Sequence, residues 1–231
     1  MPSYSNHFLD LLKPTHIQGV SIEDLAAQFG TPLYLYDGEK IVHQINALQK
    51  AFAAVPLRIK YATKALSSLG ILRLIRKAGA ELDAVSIEEV KLGLLAGSSP
   101  SEIMYTPSGV SFAEIQEAVQ IGVMINLDSL PLLERFGQTY GSTVPVCIRI
   151  NPHILAGGNL KISTGHKDSK FGISIEQLPQ ILDLVQRYQV TVVGLHLHTG
   201  SDILDASVFL EGGNVLFEAA LHFPELNRMR L

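Results

Sequence analysis

The sequence has little cysteine and little charge, and each shortage excludes a class of protein. Cys147 is the one cysteine among 231 residues, so neither an internal disulfide nor a zinc site built from cysteines can form. Charged residues make up 17% of the chain, below the roughly 25% typical of globular proteins. Together with a hydrophobic share of 47%, this composition predicts a folded chain with a large core and excludes a disordered one.

Long apolar runs and an excess of basic residues are also missing. No stretch approaches the roughly 18 consecutive apolar residues of a membrane-spanning helix, and residues 1–10 lack the basic start and apolar core of a signal peptide. We therefore expect a cytoplasmic protein with no membrane partner. Eighteen basic and 22 acidic side chains give a net charge of −4. This balance argues against nucleic acid as a partner, because binding to phosphates needs clustered lysine and arginine.

Short runs rich in β-branched residues alternate with helical patterns along most of the chain. The intervals between them leave room for one strand, one turn and one helix, which is typical of parallel βα units. The predicted strands are Arg58–Thr63, Glu81–Val85, Ile103–Thr106, Val123–Leu127, Val144–Ile150 and Val190–His198. The glycine fingerprint of an open dinucleotide-binding sheet does not follow the first strand. The pattern therefore predicts an α/β fold, a TIM-type (β/α)8 barrel.

Serine residues mark the starts of several helices between these strands. Ser111 and Glu114 have the spacing of a capping box, and Ser86 is followed by acidic residues in the first turn. The last interval is longer than the others, since a polar stretch over Asn151–Lys170 precedes the helix predicted for Ser174–Tyr188. A loop of that length is more often functional than incidental.

The barrel is predicted to be incomplete, with about six of its eight βα units. A helix over Asp205–Leu221 and the segment Phe223–Leu231 would lead toward a seventh strand. Upstream, Pro32–Asp37 predicts an additional apolar strand, and a helix over Glu39–Ala54 leads into the barrel. We interpret residues 1–38 as a leading segment with a strand of a second domain, and residues 39–231 as the incomplete barrel.

Reactive groups in a parallel barrel lie at the C-terminal ends of its strands. The candidates there are Lys64, Asp83 with Ser86, Thr106, Asp128, Arg149 with Asn151, and the group His196, His198 and Ser201. Lys64 is the most informative, because burial in an apolar barrel mouth would lower the pKa of its amine and favour attack on a carbonyl. The alternative is a structural lysine whose stem lies on apolar surface while its ammonium reaches water.

The other candidates each allow two interpretations. His196 and His198 share one face of a strand, but no third ligand stands at a known spacing, so we predict no metal site. Arg149, at the end of a buried strand, needs an acid, a phosphate or a carboxylate as its partner. Asp83 is one candidate for that acid, and a purely structural ion pair is the alternative. Ser201 offers a hydroxyl to a phosphate or belongs to an ordinary turn.

Five short segments stand in a fixed order along the chain from about Gly30 onward. They are Tyr61–Leu66 (YATKAL), Leu82–Glu89 (LDAVSIEE), Arg149–Pro152 (RINP), Ile162–Gly165 (ISTG) running on to Lys170–Ile173 (KFGI), and Gly194–Ser201 (GLHLHTGS). In this order they resemble the pyridoxal-phosphate decarboxylases with an alanine-racemase-like barrel, and in particular the bacterial diaminopimelate decarboxylases. The ISTG segment favours that branch over the ornithine and arginine decarboxylases.

The resemblance implies pyridoxal 5′-phosphate as the cofactor and assigns roles to five residues. Lys64 would hold the cofactor through a Schiff base, and His198 would pack against the face of its ring. Ser201 would contact the phosphate, Asp83 would lie near the Schiff base, and Arg149 would point into the same cavity. Lys64 and His198 are the expected catalytic residues, and all five are expected to bind the cofactor.

The reaction implied by the resemblance is the decarboxylation of meso-diaminopimelate to L-lysine, a step of lysine biosynthesis. The partners that follow are a small-molecule amino-acid substrate and a second copy of the chain in a homodimer. The family's glycine-rich phosphate loop, its acid for the ring nitrogen, its EPGR arginine and its C-terminal β domain have no counterpart in the sequence. We therefore expect these 231 residues alone to be inactive or nearly so.

Two alternatives to this interpretation stay open. The chain could be a non-catalytic relative that binds the cofactor or pairs with an intact subunit, because the open edges of an incomplete barrel favour association. It could also be another enzyme of the same fold, either an ornithine or arginine decarboxylase or a relative of alanine racemase. A downstream EPGR-type motif and cysteine would support a decarboxylase over a racemase.

Overall fold

The structure, a computed structural model, describes residues 15–154, 169–201 and 203–231. The predicted ISTG segment, Ile162–Gly165, lies outside the described residues. The described chain begins with a short antiparallel hairpin and two helices. These elements are β1 (His16–Ile17), β2 (Val20–Ser21), α1 (Ile22–Phe29) and α2 (Gly38–Ala51).

A curled sheet of parallel strands, flanked by helices, makes up the rest of the described chain. Its elements are β3 (Lys60–Ala62), α3 (Leu69–Lys77), β4 (Glu81–Ala84), α4 (Ile87–Leu95), β5 (Ile103–Tyr105), α5 (Phe112–Ile121), β6 (Met124–Leu127), α6 (Leu130–Tyr140), β7 (Val146–Asn151), β8 (Ile173–Ser174), α7 (Leu178–Tyr188), β9 (Val192–Leu197), α8 (Ser207–Ala220) and β10 (Arg228–Arg230). The strand order is β10-β9-β7-β6-β5-β4-β3, and β8 pairs with the end of β7. All of these pairings are parallel.

The structure confirms the prediction of an incomplete TIM-type barrel, and each of the six predicted strands overlaps an observed one. It adds a seventh barrel strand, β10, in which Arg228 lies opposite Gly194 and Arg230 lies opposite His196. Six βα units precede β10, as predicted, and β10 is the seventh strand toward which Phe223–Leu231 was predicted to lead. That segment has no β-branched residue, and its one strand-like feature is the alternation of polar and apolar residues over Arg228–Leu231.

The main core lies between the sheet and its helices. Leu82, Ile125 and Ile148 on the strands pack in one buried cluster with Leu72 of α3 and Ile115 of α5. Because successive side chains of a strand point to opposite faces, the alternate residues of these strands lie on the inner side of the curled sheet. The inner positions carry buried polar side chains, among them Asp83, Asn126, Arg149 and His196. The sheet therefore carries buried polar groups on its inner face, and its outer face packs against the apolar core.

The predicted helix starts are also present. The Ser111 hydroxyl accepts a hydrogen bond from the Glu114 backbone N–H, and the Glu114 carboxylate accepts one from the Ser111 N–H at 2.9 Å. Ser174 precedes a single 3-10 turn, over Ile175–Gln177, that leads into α7. No helix within the described ranges has both the length and the apolar character needed to cross a bilayer.

The strand predicted over Pro32–Asp37 is not formed. These residues have no regular secondary structure, and the Tyr34 side chain is 85% exposed. An extended segment becomes a strand only when its backbone groups pair with a neighbour, and none of the described strands pairs with this one. Asp37 instead caps α2, where its carboxylate accepts a hydrogen bond from the Lys40 N–H at 3.0 Å.

Candidate active site

The candidate residues converge at the C-terminal ends of the parallel strands. Lys64 lies in the single 3-10 turn after β3, Asp83 near the end of β4, Arg149 in β7, and His198 directly after β9. The charges of Lys64, Asp83 and Arg149 all act on the His198 imidazole, so these four side chains share one rim of the sheet. Ser201, three residues beyond His198, is exposed.

The His198 ring is neutral at pH 7 because its surroundings disfavour the imidazolium. Burial is the largest cause and the charges of Arg149, Lys64 and Arg230 add to it, so that the pKa of His198 falls to about 4 despite the opposing charge of Asp83. An uncharged imidazole can lie flat against an aromatic ligand without adding to the positive charge of the rim. The site therefore combines a neutral planar ring with several cations.

The lowered pKa of His198 predicts acid destabilisation. The folded-state pKa of about 4 lies below the ordinary value of 6.5, so the unfolded chain binds the proton more readily and stability is lost as pH falls from 6.5 to 4. After allowance for the partial exposure of the ring, His198 should account for about 2 kcal/mol of that loss. Urea unfolding between pH 4 and pH 7 measures it. In a His198→Gln variant the slope should be smaller, and an unchanged slope would contradict the prediction.

Asp83 is the centre of a buried network that crosses the sheet. Its carboxylate accepts hydrogen bonds from the Thr106 hydroxyl at 2.6 Å and from Arg230 Nη1 at 2.9 Å. The second carboxylate oxygen is paired with Arg230 Nη2. The direct partner of Asp83 is therefore Arg230, on the seventh strand, and the prediction that Asp83 might pair with Arg149 is corrected. The reason is geometric, because β10 curls round to face β4.

Arg149 is buried, and Asp128 provides the largest stabilising charge for it. Burial lowers the pKa of the Arg149 guanidinium, while Asp128 and then Asp83 oppose that shift. The pKa of Asp128 is itself raised by burial, against hydrogen bonding from Ser108 and the charge of Arg149. The guanidinium lies 4.9 Å from the centre of the Phe171 ring. Arg149 thus has a fixed place between an acid and an aromatic ring.

His196 lies deeper than His198 and pairs with a residue that the sequence did not single out. Asn126 of β6 donates a hydrogen bond from its amide nitrogen to His196 Nδ1 at 2.5 Å. Complete burial holds the pKa of His196 well below its usual range, so this ring is neutral as well. No group of three or more His, Cys, Asp and Glu residues in the described ranges could hold a metal ion.

Three of the strand-end candidates have local roles. Ser86 caps α4, where its hydroxyl accepts a hydrogen bond from the Glu89 N–H at 3.2 Å. Asn151 Oδ1 accepts one from the His153 N–H at 3.1 Å, and Thr106 belongs to the Asp83 network. Sequence reasoning missed Arg230, Asn126 and Phe171. Asn126 had a signal, since it stands two residues before Asp128 and therefore on the same face of its strand, and Phe171 had one as part of the KFGI segment.

Lys64 is exposed, which corrects the prediction that its amine is buried in the barrel mouth. β3 is the last strand of the sheet order, and among the described residues no strand covers its outer edge. The structure thus shows the alternative, a lysine whose ammonium reaches water. Its amine nevertheless stands close enough to His198 to affect the pKa of that ring, so it is accessible to a ligand that lies on the rim.

The chemistry of the rim fits pyridoxal 5′-phosphate, the cofactor implied by the sequence. An accessible amine suits its aldehyde, and a neutral imidazole suits its flat ring. Three cations and one acid act on His198, an excess of positive charge that suits the anionic phosphate. Gly200 has a φ of 149°, a backbone conformation that favours glycine, and it precedes the exposed hydroxyl of Ser201. The residues present therefore suit the aldehyde, the ring face and the phosphate of the cofactor.

The chain is similar to known proteins in family, sequence and structure. Residues 38–220 match the model of the family described as "Pyridoxal-dependent decarboxylase, pyridoxal binding domain". The chain is 34% identical over 206 residues to a diaminopimelate decarboxylase of Methanothermobacter thermautotrophicus, covering 88% of this chain and 48% of the relative. It is 34% identical over 193 residues to the Escherichia coli K12 diaminopimelate decarboxylase, covering 82% and 44%.

The fold is also similar to that of solved structures. The crystal structure of Helicobacter pylori diaminopimelate decarboxylase complexed with L-lysine has a TM-score of 0.79 and 33% identity, with 86% of this chain and 52% of the other covered. The chain spans about half the length of the curated relatives that it matches. The family match over residues 38–220 includes strands β3 to β9 and the five predicted site residues, and it ends before β10.

Proposed function

The chain belongs to the pyridoxal-dependent decarboxylases and contains their pyridoxal-binding domain, and from this membership we propose that the protein carrying it decarboxylates meso-diaminopimelate to L-lysine. The observation that supports the proposal most is the convergence of Lys64, Asp83 and Arg149 on His198 at one rim. Each residue comes from a different strand or strand end, as in a barrel enzyme whose site is built from several βα units.

Lys64, His198 and Ser201 would hold the cofactor, through the amine, the flat face of the ring and the hydroxyl respectively. When bound, pyridoxal phosphate supplies an aldehyde that combines with amines and a ring that accepts the electron pair released as carbon dioxide leaves. The protein supplies position and charge. His198 stays neutral with a pKa of about 4, so it can lie against the ring without carrying a positive charge.

Arg149 and Lys64 provide the positive charge that a dicarboxylic amino acid requires. Two positive side chains act on His198 from the same rim, and a guanidinium forms paired hydrogen bonds with a carboxylate. Asp83 is fixed by Arg230 and Thr106, which holds one negative charge at a constant position among these cations. This fixed acid balances part of the positive charge of the rim.

The substrate is the finer part of the proposal. Relatives at 33–34% identity, from an archaeon, a plant and a bacterium, are described as diaminopimelate decarboxylases or probable ones. A lysine/ornithine decarboxylase complexed with putrescine, from Vibrio vulnificus, is less similar, with 26% identity and a TM-score of 0.75. We therefore expect a substrate whose far end carries both an amine and a carboxylate.

Assay of the protein that carries this chain tests the proposal directly. With pyridoxal phosphate present, meso-diaminopimelate should release carbon dioxide and yield L-lysine in equal amounts. L-ornithine and L-arginine should react at least about 100-fold less efficiently in kcat/KM, because a site arranged for a second carboxylate loses a charged contact with them. Release of carbon dioxide from ornithine but not from diaminopimelate would overturn the choice of substrate.

Several further predictions belong to the same proposal. We propose that residues 1–38 form a leading segment with a strand of a second domain. A homodimer and a cytoplasmic location are also proposed, and a mass measurement in solution tests the first. Inactivity of the 231 residues on their own stays a prediction, tested by the same carbon dioxide assay.

A further inference from the structure

We propose that Phe171 is a positioning residue whose ring fixes the plane of the Arg149 guanidinium, so that the N–H edges of Arg149 face the site. The inference rests on the proposed function only for what Arg149 then binds, a carboxylate or a phosphate. The positioning itself is a property of the folded chain. No role in the site follows for Phe171 from the sequence, which presents it only as part of the KFGI segment.

The backbone around Gly172 brings the Phe171 ring to this place. Gly172 has a φ of +79°, and a Cβ atom there would lie 3.0 Å from the Asn151 backbone nitrogen and 3.3 Å from the Arg149 carbonyl oxygen. Only glycine combines this conformation with so close an approach. The next residue, Ile173, then pairs with Ile150 at the end of β7. The segment is thus pressed against the strand that carries Arg149.

The Arg149 guanidinium lies over the face of the Phe171 ring. The Arg149 carbon Cζ lies 4.9 Å from the ring centre, and Arg149 is 8% exposed, so the interaction occurs largely away from water, where it is strongest. A guanidinium that stacks on an aromatic ring keeps its in-plane N–H groups able to donate hydrogen bonds. Lys170 Nζ lies 5.1 Å from the same ring, but that lysine is exposed and gains less from the contact.

The acids near Arg149 cannot supply the same constraint. Asp128 and Asp83 stabilise its charge, but a charge at a distance attracts the guanidinium without choosing the orientation of its plane. An aromatic face does choose it, because stacking is favourable only when the two planes are aligned. Phe171 therefore adds an orientation to a position that the acids already favour.

The test compares aromatic with non-aromatic residues at position 171. In Phe171→Leu the Arg149 guanidinium should lose its fixed place, and KM for the substrate should rise about tenfold while kcat changes less than threefold. Phe171→Tyr keeps a ring and should restore the wild-type KM. If the leucine and tyrosine variants behave alike, the ring has no orienting role and the proposal is overturned.

A second readout needs neither cofactor nor turnover. Arg149 is the largest charge that lowers the pKa of His198, with Lys64 and Arg230 adding to it and Asp83 opposing it. In Phe171→Leu, NMR titration of the His198 ring should therefore give a pKa higher than in the wild type, and Phe171→Tyr should titrate as the wild type does. The signal is assigned by its loss in His198→Gln. An unchanged titration in Phe171→Leu would overturn the proposal.

Matched controls separate this inference from folding defects and from the proposed reaction. Phe112 makes a comparable contact, with the Arg135 guanidinium 4.4 Å from its ring centre, on the helices outside the sheet. Phe112→Leu should leave the His198 titration unchanged. Phe171→Met provides a second non-aromatic variant if the leucine variant does not fold. If diaminopimelate proves not to be the substrate but the titration shifts as expected, the proposed function fails and the positioning role stands.

Discussion

Replacing Lys64 with alanine is expected to remove the visible absorption of the bound cofactor and to reduce decarboxylation by about 10³-fold or more. Lys64 is an exposed lysine at the end of the edge strand, and its charge acts on the His198 ring. Without it the rim has no amine to combine with an aldehyde at that place. Absorption spectra of the protein with added pyridoxal phosphate, recorded before and after borohydride reduction, measure the loss.

Lys91 provides the matched control for this experiment. Its Nζ forms an ion pair with Glu117 at 2.7 Å, and both side chains are well exposed on the outer helices. Lys91→Ala should keep the absorption band and the activity, since exposed ion pairs contribute little to stability. A Lys64→Ala protein that retains the band would show that another lysine binds the cofactor, and the proposed site would then be wrong.

The second large effect is expected at Asp83. In Asp83→Ala the Arg230 guanidinium loses two hydrogen bonds and its carboxylate partner, in a place where its side chain is only 21% exposed. Removing one member of a largely buried ion pair costs about 3–5 kcal/mol, because the remaining charge is left without compensation. The free energy of unfolding from urea titration should fall by that amount. A fall below about 1 kcal/mol would show that the network across the sheet contributes little.

Two further variants test whether the unpaired charge of Arg230 causes the loss of stability in Asp83→Ala. Asp183→Ala removes an exposed carboxylate that pairs with Arg187 one helical turn away, and it should cost less than about 0.5 kcal/mol. The double variant Asp83→Ala with Arg230→Met removes both charges and should recover part of the lost stability. If the double variant is no more stable than Asp83→Ala, the unpaired arginine is not the cause of the loss.

Much of the fold could be predicted from local patterns in the sequence. The apolar runs that became β4, β6 and β7 alternate with capped helices, and each signal lies within a few neighbouring residues. The segment Pro32–Asp37 has the same kind of pattern yet forms no strand, because strand formation depends on a partner that local composition does not reveal. The reverse holds for Arg228–Arg230, which pairs although its residues do not favour a strand.

The site was predictable residue by residue but not in its pairings. Lys64, Asp83 and Arg149 could be predicted because they lie at strand ends, and a parallel barrel brings all such ends to one rim. The partner of Asp83 could not be foreseen, since Arg230 is 147 residues away in the chain and comes near only when the sheet curls. The exposure of Lys64 depends in the same way on which strand stands at the edge.

The separation between Asp83 and Arg230 has a consequence for synthesis on the ribosome. Arg230 follows Asp83 by 147 residues, and at about 5–20 residues per second it emerges roughly 7–30 s later. For that time the carboxylate stands inside a growing sheet without its main countercharge. The nascent chain therefore cannot close its polar interior strand by strand, because the pairing of Asp83 waits for the seventh strand to leave the exit tunnel.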